Sequence, residues 1–151
     1  MDSLKIAGLN FDITWKDKER NFQNIEQQFR NITADVYVLP EMFSTGFYMY
    51  AAEIADRNTE SLNWMKTFAA KKNSAVCGSA SVFDDGRFVN QFYFVKPDGT
   101  YEFYDKRHLF TYSGEDQSYS KGEDRVIVGY KGWKILLQVC YDLRFPVFSR
   151  N

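Results

Sequence analysis

Two cysteines, one histidine and three prolines are all that these 151 residues contain of those types. Cys77 and Cys140 are too few to scaffold a secreted disulfide domain, so a reducing, cytoplasmic setting is expected. One histidine, His108, and two distant cysteines supply no zinc-ligand spacing; no metal and no cofactor are expected. Long apolar runs are also missing. None approaches the roughly 20 residues that cross a bilayer, and MDSLKIAGLN reaches charge at once, without the apolar stretch of a signal peptide. A net charge of −1 leaves no basic excess to hold nucleic acid or an anionic membrane.

Aromatic residues, by contrast, are plentiful at 18%. A segment such as QFYFV could stack bases, but no Gly-aromatic pattern set between basic residues accompanies it, and core packing is the better reading. The length suits one domain with a real core.

The chain opens with strand-like text from Leu4 to Ile13. Between Lys16 and Ile32 the period lengthens: Phe22, Ile25, Phe29 and Ile32 fall at helical spacing. DVYVLPE reads as a short buried strand halted by Pro40, which has no N–H for a ladder. A second helix is predicted from Thr59 to Lys72, with Leu62, Met65 and Ala69 inward. SAVCGSASVF, RFVNQFYFVKP and YEFYDK follow as strands joined by DDG and PDGT turns. Arg107 to Glu123 is polar and reads as a long loop, a common address for function. VIVGY and WKILLQV form a last hairpin that delivers Cys140. Helices on one face of a mixed sheet are therefore expected.

Cys77, inside AVCGSASV, has no charge nearby and reads as a packing thiol. Cys140 stands where a strand should give way to a helix start. Such a terminus lowers a thiol pKa and offers free N–H groups to an oxyanion, so packing and nucleophilic roles are both open. A nucleophile needs a base. His108 is available, but Lys106 and Arg107 beside it suppress its basicity. Glu41, just past the strand DVYVLP, is the alternative; partial desolvation at a strand mouth would raise its pKa towards a useful range. Lys106, closing YEFYD, could set a fixed positive charge where an oxyanion develops. Taken singly, Glu41 and Lys106 would more simply be solvated surface residues.

Together, LPEMFSTGF, YDKRHLF and VCYDLRFP resemble the three signature blocks of the nitrilase superfamily of carbon–nitrogen hydrolases, in the right order and across the whole chain. Within it the similarity is greatest to the omega-amidase branch, which cleaves the terminal amide of 2-oxo dicarboxylic acid monoamides. The resemblance implies a catalytic triad of Glu41, Lys106 and Cys140. Glu115 is the match for an assisting second glutamate, with Asp116 as the alternative. It also implies an oxyanion contact from the N–H of Tyr141 and a triad-orienting or substrate-carboxylate contact for Arg144. Asp142 is read as a structural hydrogen-bonding residue. A nitrilase acting on nitriles would use the same triad, and a non-catalytic module could keep the same fold. The fold implied is a four-layer αββα sandwich whose members commonly form homodimers or larger oligomers. Family members continue well past the nucleophile, whereas this sequence ends at Asn151; residues 1–151 are thus expected to be the N-terminal portion of a longer carbon–nitrogen hydrolase domain.

Overall fold

Helix and strand alternate only in the first half of the chain, as the change of hydrophobic period predicts. The computed structural model describes residues 3–150. Strand β1 (Ile6–Gly8), helix α1 (Lys18–Gln28), strand β2 (Val36–Val38) and helices α2 (Ala51–Ile54) and α3 (Glu60–Lys72) come first. Strands β3 (Ala75–Asp84), β4 (Arg87–Val95) and β5 (Tyr101–Asp105) follow. These strands form one sheet in the order β1-β2-β3-β4-β5. β1/β2 and β2/β3 are parallel, across helical connections, while β3/β4 and β4/β5 are antiparallel. A parallel neighbour needs a crossover and an antiparallel one only a turn. Asp85 and Gly86, both at positive φ, make the first of those turns.

Successive residues of β3 face opposite sides of the sheet. Val76, Ala80 and Val82 join Ile25 and Phe29 of α1 and Leu62, Met65 and Phe68 of α3 in one core. Ala75 and Cys77 point the other way, with Phe94 and Tyr104, towards a hairpin of β6 (Ile127–Tyr130) and β7 (Trp133–Leu136). Each large side chain so buried stabilises the fold by about 1.5–3 kcal/mol relative to exposure. The result is a layer of helices, a five-stranded sheet and a two-stranded sheet. Cys77 is buried, and burial pushes its thiol pKa up to about 12, the inert packing cysteine that its neighbours imply.

Several elements are shorter than their sequence pattern. β1 leaves the ladder after one further rung, Leu9 N–H to Val38 O, because its partner strand is about to reach Pro40. α1 begins later than Lys16, which stands at φ 64, and is capped by Asp17 accepting from the Arg20 N–H. It also ends at Gln28, before Ile32. α2 is a single turn with no periodicity to betray it. The long loop carries a 3-10 turn, Thr111–Ser113, and helix α4 (Glu115–Ser118), divided by Gly114 at φ 76. β7 stops at Leu136, so Cys140 is not on a strand end. A 3-10 turn, Cys140–Arg144, and the short helix α5 (Pro146–Ser149) take the place of the expected helix start.

Candidate active site

The turn carrying Glu41 is fastened onto β3. Met42 donates its N–H to Ser79 Oγ at 3.0 Å, and Phe43 donates to Ser79 O at 3.1 Å. Gly78 permits that closeness, since a Cβ there would stand 2.7 Å from Leu39 Cβ. Lys106 lies one residue past β5. Its N–H reaches Asn90 O at 2.9 Å, which makes Asn90 of β4 its cross-strand neighbour, on the same face. Its carbonyl accepts from Gly122, where the long loop returns; a Cβ on Gly122 would meet Asp105 O at 2.1 Å.

Four side chains then close a ring. Lys106 Nζ donates to Glu41 Oε1 at 2.7 Å and to Glu115 Oε2 at 2.8 Å. Asn90 Nδ2 donates to Glu41 Oε1 at 2.8 Å and to Glu115 Oε1 at 2.9 Å. Donors and acceptors alternate around it. Lys106 and Glu115 are fully buried, and Glu41 keeps 18% of its side chain exposed. Phe110 adds its N–H to Glu115 Oε2 at 2.6 Å, so both Glu115 oxygens are engaged. Burial alone would lower the Lys106 pKa; the two carboxylates outweigh it and hold the ammonium above its ordinary value. Glu115 is the second glutamate that joins this network, while Asp116 is exposed on the outside of α4.

Cys140 is exposed, with backbone φ 44, the left-handed region that costs a residue with a Cβ roughly 1–2 kcal/mol. The charges of Glu41, Lys106 and Glu115 all act on its thiol. The lowered thiol pKa expected of a helix terminus is reversed here. Partial burial of the sulfur, then Glu41 and Glu115, push it up, and Lys106 opposes them without prevailing. A protonated thiol with a carboxylate at hand suits proton transfer to that carboxylate during attack.

Asp142 ties this turn to the segment around Lys106. Its buried carboxylate accepts from Tyr104 Oη at 2.9 Å, His108 N at 3.0 Å and Val139 N at 2.9 Å. His108 Nδ1 is the fourth donor, at 2.7 Å. That is the structural work its capping position predicts. His108 is thereby committed to Asp142, with its ring stacked 3.8 Å from that of Phe145. Tyr141 sits second in the 3-10 turn with its ring against Phe110 and Phe145. Arg144 is exposed and stands apart from the ring of four. Sequence reasoning missed Asn90 altogether. Among the described residues no group of three or more His, Cys, Asp or Glu could hold a metal ion. No helix there is long and apolar enough to cross a membrane.

A thiol within the field of two carboxylates that share one buried ammonium is equipped for nucleophilic attack with a carboxylate as base. The chain belongs to the carbon–nitrogen hydrolase family, whose profile matches residues 5–151. It is 44% identical to the omega-amidase YafV of Yersinia enterocolitica, over all of this chain and 59% of that protein. It is 32% identical to the 2-oxoglutaramate amidase of Bacillus subtilis, over 97% of the chain and 59% of the relative. Among solved structures, a CN-hydrolase superfamily protein of Xanthomonas campestris, with an arsenic adduct in its active site, superposes with TM-score 0.95. That match is at 36% identity over 100% of this chain and 58% of the other. An amidase from Nesterenkonia sp. AN1, 19% identical with TM-score 0.85 over 97% of this chain and 60% of its own, shares the fold. The chain therefore spans a little under two thirds of the length of these relatives.

Proposed function

We propose that the protein hydrolyses the terminal amide of a small 2-oxo dicarboxylic acid monoamide, such as 2-oxoglutaramate, to the acid and ammonia through a cysteine thioester. The ring of Glu41, Lys106, Glu115 and Asn90 beside the Cys140 thiol carries the reading. Cys140 attacks the amide carbon while its proton passes to Glu41, forming the S–C bond and a tetrahedral oxyanion. An ammonium has three hydrogens. Two of those on Lys106 go to carboxylates, and the third is directed to the oxyanion together with the N–H of Tyr141. The first turn of a helix leaves such N–H groups without an internal partner. Glu41 returns the proton to the nitrogen as the C–N bond breaks and ammonia leaves. Water then attacks the thioester, giving a proton to Glu41, and the C–S bond breaks as Glu41 returns that proton to the sulfur, releasing the acid and restoring the thiol.

The substrate class rests on the relatives named omega-amidase and 2-oxoglutaramate amidase. Arg144, four residues beyond the nucleophile and exposed, is the candidate contact for the substrate carboxylate. The catalyst is a chain of the relatives' full length, within which these residues form the N-terminal part, assembled as a homodimer or larger oligomer.

Steady-state ammonia release from 2-oxoglutaramate by full-length enzyme and its Cys140→Ala variant tests the assignment, with a nitrile of matching chain length run alongside. Loss of the nucleophile should reduce kcat at least as severely as the roughly 10²–10³-fold that one oxyanion donor costs. Wild-type turnover by Cys140→Ala would sink the mechanism. Faster turnover of the nitrile than of the amide would replace the substrate class.

A further inference from the structure

Asn90 lies at the centre of the site, yet the thioester chemistry gives it no step. It is fully buried in β4, and its side-chain nitrogen bridges Glu41 Oε1 at 2.8 Å and Glu115 Oε1 at 2.9 Å. Its Oδ1, equally buried, has no protein partner among the described residues. Two carboxylate acceptors dictate this orientation. Turned over, the amide would set an oxygen against two anionic oxygens. The side chain thus faces the way the site requires, although its own carbonyl gains nothing from it.

We propose that Asn90 is a positioning residue that fixes which oxygen of Glu41 acts as the base and holds the Glu41 and Glu115 carboxylates in place beside Lys106. Glu41 Oε1 accepts from both Lys106 Nζ and Asn90 Nδ2, which occupies its lone pairs and leaves Oε2 to serve as the base. Two carboxylates set close together repel each other, and a single ammonium between them leaves that repulsion partly unrelieved. Asn90 opposes this by giving one N–H to each, without itself titrating. Lys106 cannot do this alone: without Asn90, Glu115 Oε1 has no donor and the Glu41 carboxylate can rotate about its single remaining bond. The titratable groups bonded to the amide are Glu41 and Glu115, with Lys106 bonded to both carboxylates; Tyr119, its pKa raised first by burial and then by the two glutamates, and Cys140 lie within their field.

The inference deepens the amidase reading and rests on it for the base role, but it has a readout that needs no substrate. In full-length enzyme, Asn90→Asp keeps the shape, removes both donors and adds charge; Asn90→Ser removes the bridge without adding charge. Both should lower kcat/KM about 10- to 100-fold, mainly in kcat, the range expected for a lost hydrogen bond to a charged group. KM should change little, because the lost donors hold Glu41 and Glu115 rather than the substrate. The rate of Cys140 alkylation by iodoacetamide, followed by peptide mass, should move to higher pH in Asn90→Asp, since a further anion opposes the thiolate. If wild type hydrolyses no amide but the alkylation profile moves as described, the substrate reading fails and the positioning role stands. A folded Asn90→Ser whose kcat coincides with wild type, whatever its stability, overturns the proposal, and it does so even where Asn90→Asp fails to fold.

Discussion

Replacing Glu115 by glutamine keeps the side chain's shape and removes one negative charge from a buried site. Three donors converge on the carboxylate: Lys106 Nζ at 2.8 Å, Asn90 Nδ2 at 2.9 Å and Phe110 N at 2.6 Å. Glutamine offers one oxygen where the carboxylate offered two, so one end of the side chain must set an N–H against a donor. If the oxygen stays with Lys106 and Phe110, Asn90 is opposed; if it turns to Asn90, Lys106 is. Losing one charge-assisted hydrogen bond costs about 1.5–3 kcal/mol, so kcat/KM should fall about 10- to 100-fold. Lys106, still attracted by Glu41, then pairs with that carboxylate alone. The thiol responds in the opposite sense. Glu115 contributes to holding its pKa up, so removing that charge lowers it and extends alkylation of Cys140 to lower pH. Slower amide hydrolysis together with a more readily ionised thiol is the expected signature, read by ammonia release and by iodoacetamide labelling across a pH series. An alkylation profile that stays put or moves upwards would refute the account of Glu115 as a carboxylate that acts on the Cys140 thiol.

Two further outcomes follow from the framework around the ring. Gly122→Ala should displace the loop that accepts at Lys106, because its Cβ would stand 2.1 Å from Asp105 O; overpacking of this kind costs about 1–3 kcal/mol. Thermal unfolding and steady-state kinetics should show lower stability and a fall in kcat, whereas Gly129→Ala, with no atom within 4 Å, should match wild type on both. Asp142→Asn faces four donors with one oxygen fewer. It should destabilise the fold by about 2–3 kcal/mol, seen as a lower Tm, with kcat falling as the Cys140 turn loosens; an unchanged Tm would show that the Asp142 contacts carry no stability.

Much of this arrangement is legible in the sequence, for identifiable reasons. The change from period two to a helical period marks α1 and α3, because burial on one face leaves that trace in the side chains. The three signature blocks point to Glu41, Lys106 and Cys140, and the ring geometry brings the first two into contact, with the thiol at Glu41. Asn90 was overlooked because inside RFVNQFYFV it reads as an outward polar residue between aromatics. Its clue was register. The tight PDGT turn pairs β4 with β5 so that Gln91 lies opposite Asp105, and one step further Asn90 faces Lys106. A buried asparagine opposite a buried lysine is a contact that strand pairing alone discloses. The thiol's raised pKa was not legible, since it depends on how closely Glu41 and Glu115 approach the sulfur. Nor was α2, one turn long, because a single turn has no period.

Folding and chemistry ask for different residues at position 140. The backbone there, at φ 44, suits glycine, while the reaction needs a side chain with sulfur. A library of variants sorted only for resistance to heat would therefore drift towards glycine at this position and become inert as it grew firmer. One sorted for turnover would hold the cysteine and accept a softer turn. The proposed nucleophile occupies one of the least comfortable backbone positions among the described residues, held there by Asp142, His108 and Tyr104 rather than by its own preference.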